Sequence, residues 1–357
     1  MKATKLFETL ATGLLLSLSL STLAPPAGGQ IYVVNRNDNT IRQFTINGVG
    51  SVFVPSNAGL QLPSGLAFDS ARNLYVVNDG NHTIDKFAPD GSRTVFGNLP
   101  PVSANGIAFD NAGSNLYVAS FGNSKIFKFA PNGSRSDFVS NLNIAANGMA
   151  FDTAGNLYVA GSADNTIRKF DNSGTGSVFA DVNDGLNGPN GLAFDSAGNL
   201  YVANGNDHTV WRFDSGGTGT LFAGVAGDTS QGLHFPYGLA FDSTGNLYVS
   251  NNGTQTIRKI ASNGVGAAFV PPGTLVGPGF IAILPECAPA VMTIAQYAGV
   301  TIAGTIGCTY RIDYTTSLIT PVVWTALTTN TLSISPYLYV DTNVVSGTRF
   351  YQTVLMP

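Results

Sequence analysis

The pentapeptide Gly-Leu-Ala-Phe-Asp returns down this chain at a near-constant interval, and that period constrains the fold more than any other feature. It stands at 65–69, reappears at 106–110 with Ile and at 148–152 with Met in second place, and recurs at 191–195 and 238–242. The steps between successive glycines are 41, 42, 43 and 47 residues. Each copy leads into a short turn, an Asn-Leu-Tyr-Val segment, a Thr-Ile-Arg-Lys-Phe-like segment and a Val-Phe-Ala-like segment. A repeat of about 40 residues carrying four short strands is the pattern of a β-propeller blade. One blade cannot bury both of its faces alone, so the ring is the folding unit.

Within one repeat the strands read as 65–69, 74–77, 83–87 and 94–96, with a hairpin turn at 70–73 whose sister copies read Ala-Gly-Asn. Ile84 and Phe87 recur as Ile167/Phe170, Val210/Phe213 and Ile257/Ile260, which marks them as packing positions between blades. The opening set at 31–35, 40–44 and 51–54 aligns with second, third and fourth strands and lacks a first. Gly279–Ile283 aligns with a first strand and has no second strand behind it. The two halves complete one another. The expected fold is an all-β, six-bladed propeller over 30–285, closed by antiparallel pairing of 280–284 with 31–35, which removes the edges an open ring would expose.

Both ends carry different signals. Met1–Ala24 has Lys2 and Lys5 ahead of a Leu-rich run from Ala11 to Ala24, and Ala27-Gly28-Gly29 offers small residues for cleavage. This reads as a signal peptide over 1–29 and an exported chain, secreted, periplasmic or at a bacterial cell surface. Glu8 and the shortness of the run argue against a membrane span. The net charge of −4 and the lack of a basic stripe exclude nucleic acid as a partner. Cys287 and Cys308 are the only cysteines, and in an exported chain they are expected to form one disulfide. After Pro285 Lys disappears, and Thr, Val, Ile and Tyr dominate. Segments 300–305, 310–315, 322–327, 337–340 and 350–355 read as strands of a small β-sandwich over 286–357. Ala288–Gly307 is uncharged, but its β-branched alternation reads as strand rather than membrane helix. The chain is expected to be a monomer.

The repeat body resembles the NHL family. Asn81-His82-Thr83-Ile84 stands where that family's Asn-His-Leu signature falls, after Leu74–Asn78; Asp207-His208-Thr209-Val210 is a looser copy, and the connector Ala223–Pro236 has the family's character. The resemblance spans about residues 30–284 and implies the propeller fold without implying an activity. The tail, with Tyr310–Tyr314, Trp324–Leu327 and Arg349–Tyr351, looks like a short β-sandwich module appended to many exported bacterial proteins.

In a propeller the loops entering first strands and leaving second strands share one face. The residues just before the first-strand glycines are Ser64, Asn105, Asn147, Asn190 and Tyr237, with Pro278 in the sixth place. The second strands end at Asn35, Asn78, Ser120, Gly161, Asn204 and Asn251. A mouth so lined offers neutral amides and hydroxyls, suited to a carbohydrate, a peptide or a protein partner. The competing reading has each Asn bonding its own loop. The chain is similar to gluconolactonase-type propellers, which place a metal-ligating Asn in an Asn-Gly pair before a first strand. Asn105, Asn147 and Asn190 match, which implies a divalent cation such as Ca²⁺ at the mouth, but no Glu or Asp matches that family's carboxylate ligands. His82 and His208 occupy equivalent loops three blades apart. Asp228 and His234, in the longest connector, are the one candidate pair for general acid–base work. The five repeated Asp residues precede turns and are expected to accept turn N–H bonds. The function expected is therefore non-enzymatic binding on the Asn-lined face; the alternative is a metal-dependent lactonase- or lyase-like enzyme centred on the mouth.

Overall fold

The computed structural model describes residues 29–142, 144–228 and 232–284, and in the C-terminal part 291–294, 299–303, 308–315, 325–331, 337–340 and 350–356. The chain falls into two compact units, Gly29–Pro285 and one that includes Glu286–Pro357. Of the leader expected over 1–29, residues 1–28 lie outside the described residues. Among those described, no helix is long and apolar enough to cross a membrane.

The first unit is a six-bladed β-propeller of four-stranded antiparallel sheets. Blade 2 contains Pro63–Phe68, Leu74–Asn78, Thr83–Phe87 and Arg93–Asn98. Blades 3 to 6 repeat this order, their first strands being Ala104–Phe109, Ala146–Phe151, Pro189–Phe194 and Pro236–Phe241. Blade 1 joins the chain ends: Pro278–Leu284 pairs antiparallel with Gln30–Asn35, which continues into Thr40–Thr45 and Gly50–Val54. Ile31 faces Ile283 and Val33 faces Ile281, the pairing expected from the missing-strand count.

Alternation along the second strands builds the core. Tyr32 and Val34 pack toward blade 2 with Leu66, Val76 and Phe87, while Ile31 and Val33 pack toward blade 6 with Tyr248 and Ile257. Ile84 and Phe87 are fully buried on opposite faces of blade 2, one against each neighbour. The second-strand Tyr joins successive blades: Tyr75 meets Phe96 of its own blade at 4.9 Å and Phe109 of the next at 5.0 Å, both edge-on. Tyr32, Tyr117, Tyr158 and Tyr201 do the same. Each such pair adds about 0.5–1.5 kcal/mol beyond its buried area. At the closing seam Ile283 takes the place of the next-blade Phe, packing in the cluster that holds Tyr248.

The repeated Asp residues are turn residues. Asp69, Asp110, Asp152, Asp195 and Asp242 each accept hydrogen bonds from the backbone and side chain of the Asn that ends the following turn. Burial resists ionisation of Asp152 and Asp242. The bonds from Asn156 and Asn246 outweigh it and hold both carboxyls below their ordinary value; for Asp152 nearby Lys169 adds to this. A lowered folded-state value means stability that is present above the unfolded value, about 4, and is lost as pH falls through the folded one. The difference in Tm between the native chain and Asp152→Asn is therefore expected to shrink as pH drops below about 4. A difference that grows toward acid would contradict this assignment.

In the second unit the described strands form two three-stranded sheets. One contains Val291–Ile294, Gly299–Ala303 and Tyr337–Val340; the other contains Thr325–Thr331, Thr309–Thr315 and Phe350–Leu355. Val291–Ile294 is a strand inside the uncharged stretch Ala288–Gly307 that the sequence reading did not separate out. Cys308 is buried, and the bridge expected with Cys287 falls on a residue outside those described.

Candidate functional site

A β-bulge opens the first strand of blades 2 to 6. In blade 2 Pro63 pairs with Asn78, yet the next regular pair is Leu66 with Val76, so Ser64 and Gly65 together face a single partner position. The same shift falls at Asn105-Gly106, Asn147-Gly148, Asn190-Gly191 and Tyr237-Gly238. A bulge re-aims a side chain next to a strand edge. Here it brings the residue before each glycine to the centre of one face of the ring.

In blade 1 the structural register moves the expectation by one residue. Pro278 pairs with Asn35 as Pro236 pairs with Asn251, so Gly279, not Pro278, occupies the mouth position, and Phe280 takes the place of the usual glycine. Gly279 brings no side chain to the mouth. A cavity of about 400 Å³ opens there, lined among others by Arg36, Ser64, Asn105, Asn190, Phe235 and Tyr237. This is within the size range of small-molecule pockets.

The expected mouth residues divide in two. Ser64, Asn105, Asn147, Asn190 and Tyr237 converge. The Tyr237 hydroxyl donates to Asn147 Oδ1 (3.1 Å), Asn147 Nδ2 donates to Asn190 Oδ1 (2.7 Å), and Asn190 Nδ2 donates to the Pro236 carbonyl (3.2 Å). Ser64 Oγ donates to the Ala104 carbonyl at 2.8 Å. The Asn105 amide, half-buried, has no protein hydrogen-bond partner among the described residues. Burial raises the Tyr237 hydroxyl above its ordinary value, and the nearby Arg36 charge only partly opposes this.

Asn35, Asn78, Asn204 and Asn251 were expected at the same mouth and do not line it; all four are fully buried. Each bonds the connector entering its own blade: Asn78 accepts from Gln61 N and donates to the Gly59 carbonyl, Asn204 donates to the Gly185 carbonyl, and Asn35 accepts from Val276 N. Asn251 accepts from His234 N. A residue at the end of a buried second strand points between strand and connector, so its amide meets local backbone instead of the cavity.

His234 is not paired with Asp228. Its ring lies edge-on to His208 at 5.0 Å, and His208 Nδ1 accepts from the backbone N–H of Phe235 at 3.2 Å. The described ends of the connector both lie on the blade 5 loop, Gly227 N donating to the Asp207 carbonyl and Phe235 N to His208, which brings the two histidines together. Asp228 closes a tight turn through its N–H to the Val225 carbonyl. His82, by contrast, sits three blades from His208 and caps its own loop, its carbonyl accepting from Leu99 N.

Arg36 was absent from the sequence expectations. It follows Asn35, where the sister positions are Asp79, Phe121, Ser162, Gly205 and Asn252. Its guanidinium donates to the carbonyls of Leu62 and Pro63 and to Asp79 Oδ2 at 2.9 Å. Asp79 is buried, and its other oxygen accepts from Ala104 N at 2.9 Å.

A hard cation takes about six to eight oxygen ligands, carboxylates among them. The side-chain oxygens of Asn147 and Asn190 already accept hydrogen bonds, and no carboxylate is among the described residues lining the cavity. Among the described residues no group of three or more His, Cys, Asp or Glu could hold a metal ion. The donor set at the mouth does not fit such an ion.

Residues 122–221 match the family described as SMP-30/Gluconolactonase/LRE-like region. No curated protein sequence matches the chain significantly. Among solved structures, a chain of a nidogen/laminin complex superposes with a TM-score of 0.63 at 18% identity, covering 72% of this chain and 98% of that one. Virginiamycin B lyase from Staphylococcus aureus gives a TM-score of 0.56 at 15% identity, covering 78% and 95%. A protein of unknown function from Bacteroides caccae gives 0.56 at 17% identity, covering 72% and 99%. At these identities the likeness shows the six-bladed propeller fold, which serves binding proteins and lactonase- or lyase-like enzymes alike.

Proposed function

We propose that the chain is an exported, non-catalytic propeller that binds a ligand at its central mouth, with the C-terminal unit, bridged by Cys287 and Cys308, as an appended module. The observation that carries this reading is the relay from Tyr237 through Asn147 and Asn190 to the Pro236 carbonyl. It fixes neutral donors and acceptors around a cavity, and among the described residues no activated nucleophile or general base faces it. Catalysis needs a group of tuned protonation within reach of the reacting atom. Recognition needs fixed hydrogen-bond geometry, which is present. The match of residues 122–221 favours lactone hydrolysis as the second reading.

The deciding experiment titrates the purified chain with a glycan panel and assays lactone hydrolysis with and without Ca²⁺. Saturable binding without turnover, weakened by Asn105→Ala, is the expected result. Turnover that depends on the added ion would overturn the binding reading in favour of the enzyme.

A further inference from the structure

Each first strand is entered through one residue: Leu62, Ser103, Ala145, Gly188, Phe235 and Gly277 in the six blades. Four of these have positive φ. Two are glycines, Gly188 at 61° and Gly277 at 66°, for which that conformation is cheap. The other two are Leu62 and Phe235, both at 48°. Bulky side chains rarely adopt the left-handed region, and such strain persists mainly where function requires it. Neither side chain is there for the core, since both are 47% exposed. They enter blades 2 and 6, on either side of blade 1. Arg36 of blade 1 donates to the carbonyl of one, and the ring of the other lines the same cavity as Arg36.

The chemistry of that cavity is biased toward donors. A guanidinium has five N–H groups. Arg36 makes three protein hydrogen bonds and keeps N–H groups to spare, with about a third of its side chain exposed. Asp79, which balances its charge, is not among the residues lining the cavity. Asn105 adds an unengaged amide, and Asn147 and Asn190 have already committed their oxygens. A ligand that satisfies this wall must bring more acceptors than donors, and a carboxylate does so best.

We infer that Arg36 and Phe235 form a subsite for an acidic sugar. The uronate carboxylate lies on the free edge of Arg36, which the Leu62 carbonyl helps to hold in place, and the apolar face of the pyranose ring packs on Phe235. This rests on the binding reading above and names the ligand class for that mouth.

The test is calorimetric titration of the purified full chain with trigalacturonate, a neutral trigalactoside and a tri-aspartate peptide. Trigalacturonate should bind at least about tenfold more tightly than the neutral trisaccharide, and Arg36→Gln should erase the difference. Phe235→Gly should weaken trigalacturonate about tenfold while leaving Tm unchanged or about 2 °C higher, because glycine relieves the strained backbone. Leu62→Gly should behave likewise in stability. Equal binding of acidic and neutral trisaccharides, preference for the peptide, or no trigalacturonate binding overturns the inference. So does a fall in Tm for both glycine variants, which would make these residues structural. If other glycans bind with Asn105 dependence while trigalacturonate does not, the subsite fails and the binding mouth stands.

Discussion

A chain ending at Val276 will lack a cooperative thermal transition, whereas one ending at Pro285 will melt within a few degrees of the full-length protein. The nine residues between these ends contain the whole of Pro278–Leu284, the strand that completes blade 1. Without it Gln30–Asn35 becomes an unpaired inner edge, and the ring loses the hydrogen-bonded strand pairing that joins the two chain ends. Ile281 and Leu284 are buried, and each side chain contributes about 2 kcal/mol on burial. Val33, Ile31 and Tyr248 would be opened to water alongside them. Set against a total stability of about 5–15 kcal/mol, these losses are enough to unfold the ring. The propeller unit ends at Pro285, so the longer truncation keeps every blade strand. Circular dichroism melts of the two truncations decide the matter. Equal melting of both would show that the closing strand does not clasp the ring.

The blade count, the closure and the roles of the repeated Asp residues were legible in the sequence because each is a local demand that every copy repeats. Two kinds of feature were not. The first is register at the seam: Gly279-Phe280 looks like the Gly-Leu of the other copies, yet Pro278 takes the pairing position of Pro236 and shifts the match by one. Only the ladder distinguishes the two alignments. The second is the mouth's charge. Arg36 and Asp79 are 43 residues apart, in equivalent loops of adjacent blades, and form a pair because the ring sets those loops side by side. The usable signal was variation: after the second strand the six copies read Arg, Asp, Phe, Ser, Gly and Asn, while the strands around them hardly change. A structural need would have repeated. Asn at the end of a second strand and Asn before a glycine look alike in sequence, but only the bulge turns the second kind toward the cavity.

Replacing Gly148 by Ala is expected to destabilise the propeller by about 3 kcal/mol or more, although alanine is the smallest side chain available. The repeated glycine is not there for a left-handed conformation. A Cβ on Gly148 would collide with the Asn190 carbonyl oxygen and come within 2.9 Å of the Gly191 Cα, both backbone atoms of the next blade. Backbone cannot rotate aside as a side chain can, so the inner strands of blades 4 and 5 would have to separate. Gly155 is the control. It has φ of 84° in an open turn with nothing within 4 Å of an added Cβ, so Gly155→Ala should cost about 1 kcal/mol through strain alone. Thermal melts should then show a loss near 10 °C for the first variant and about 3 °C for the second. Equal shifts would mean that the inner strands are not held at contact distance. The same separation would pull Asn147 from Asn190, because each amide directly precedes the glycine that lets its strand approach. The close packing that closes the ring is therefore also what sets the spacing of the amides at the mouth.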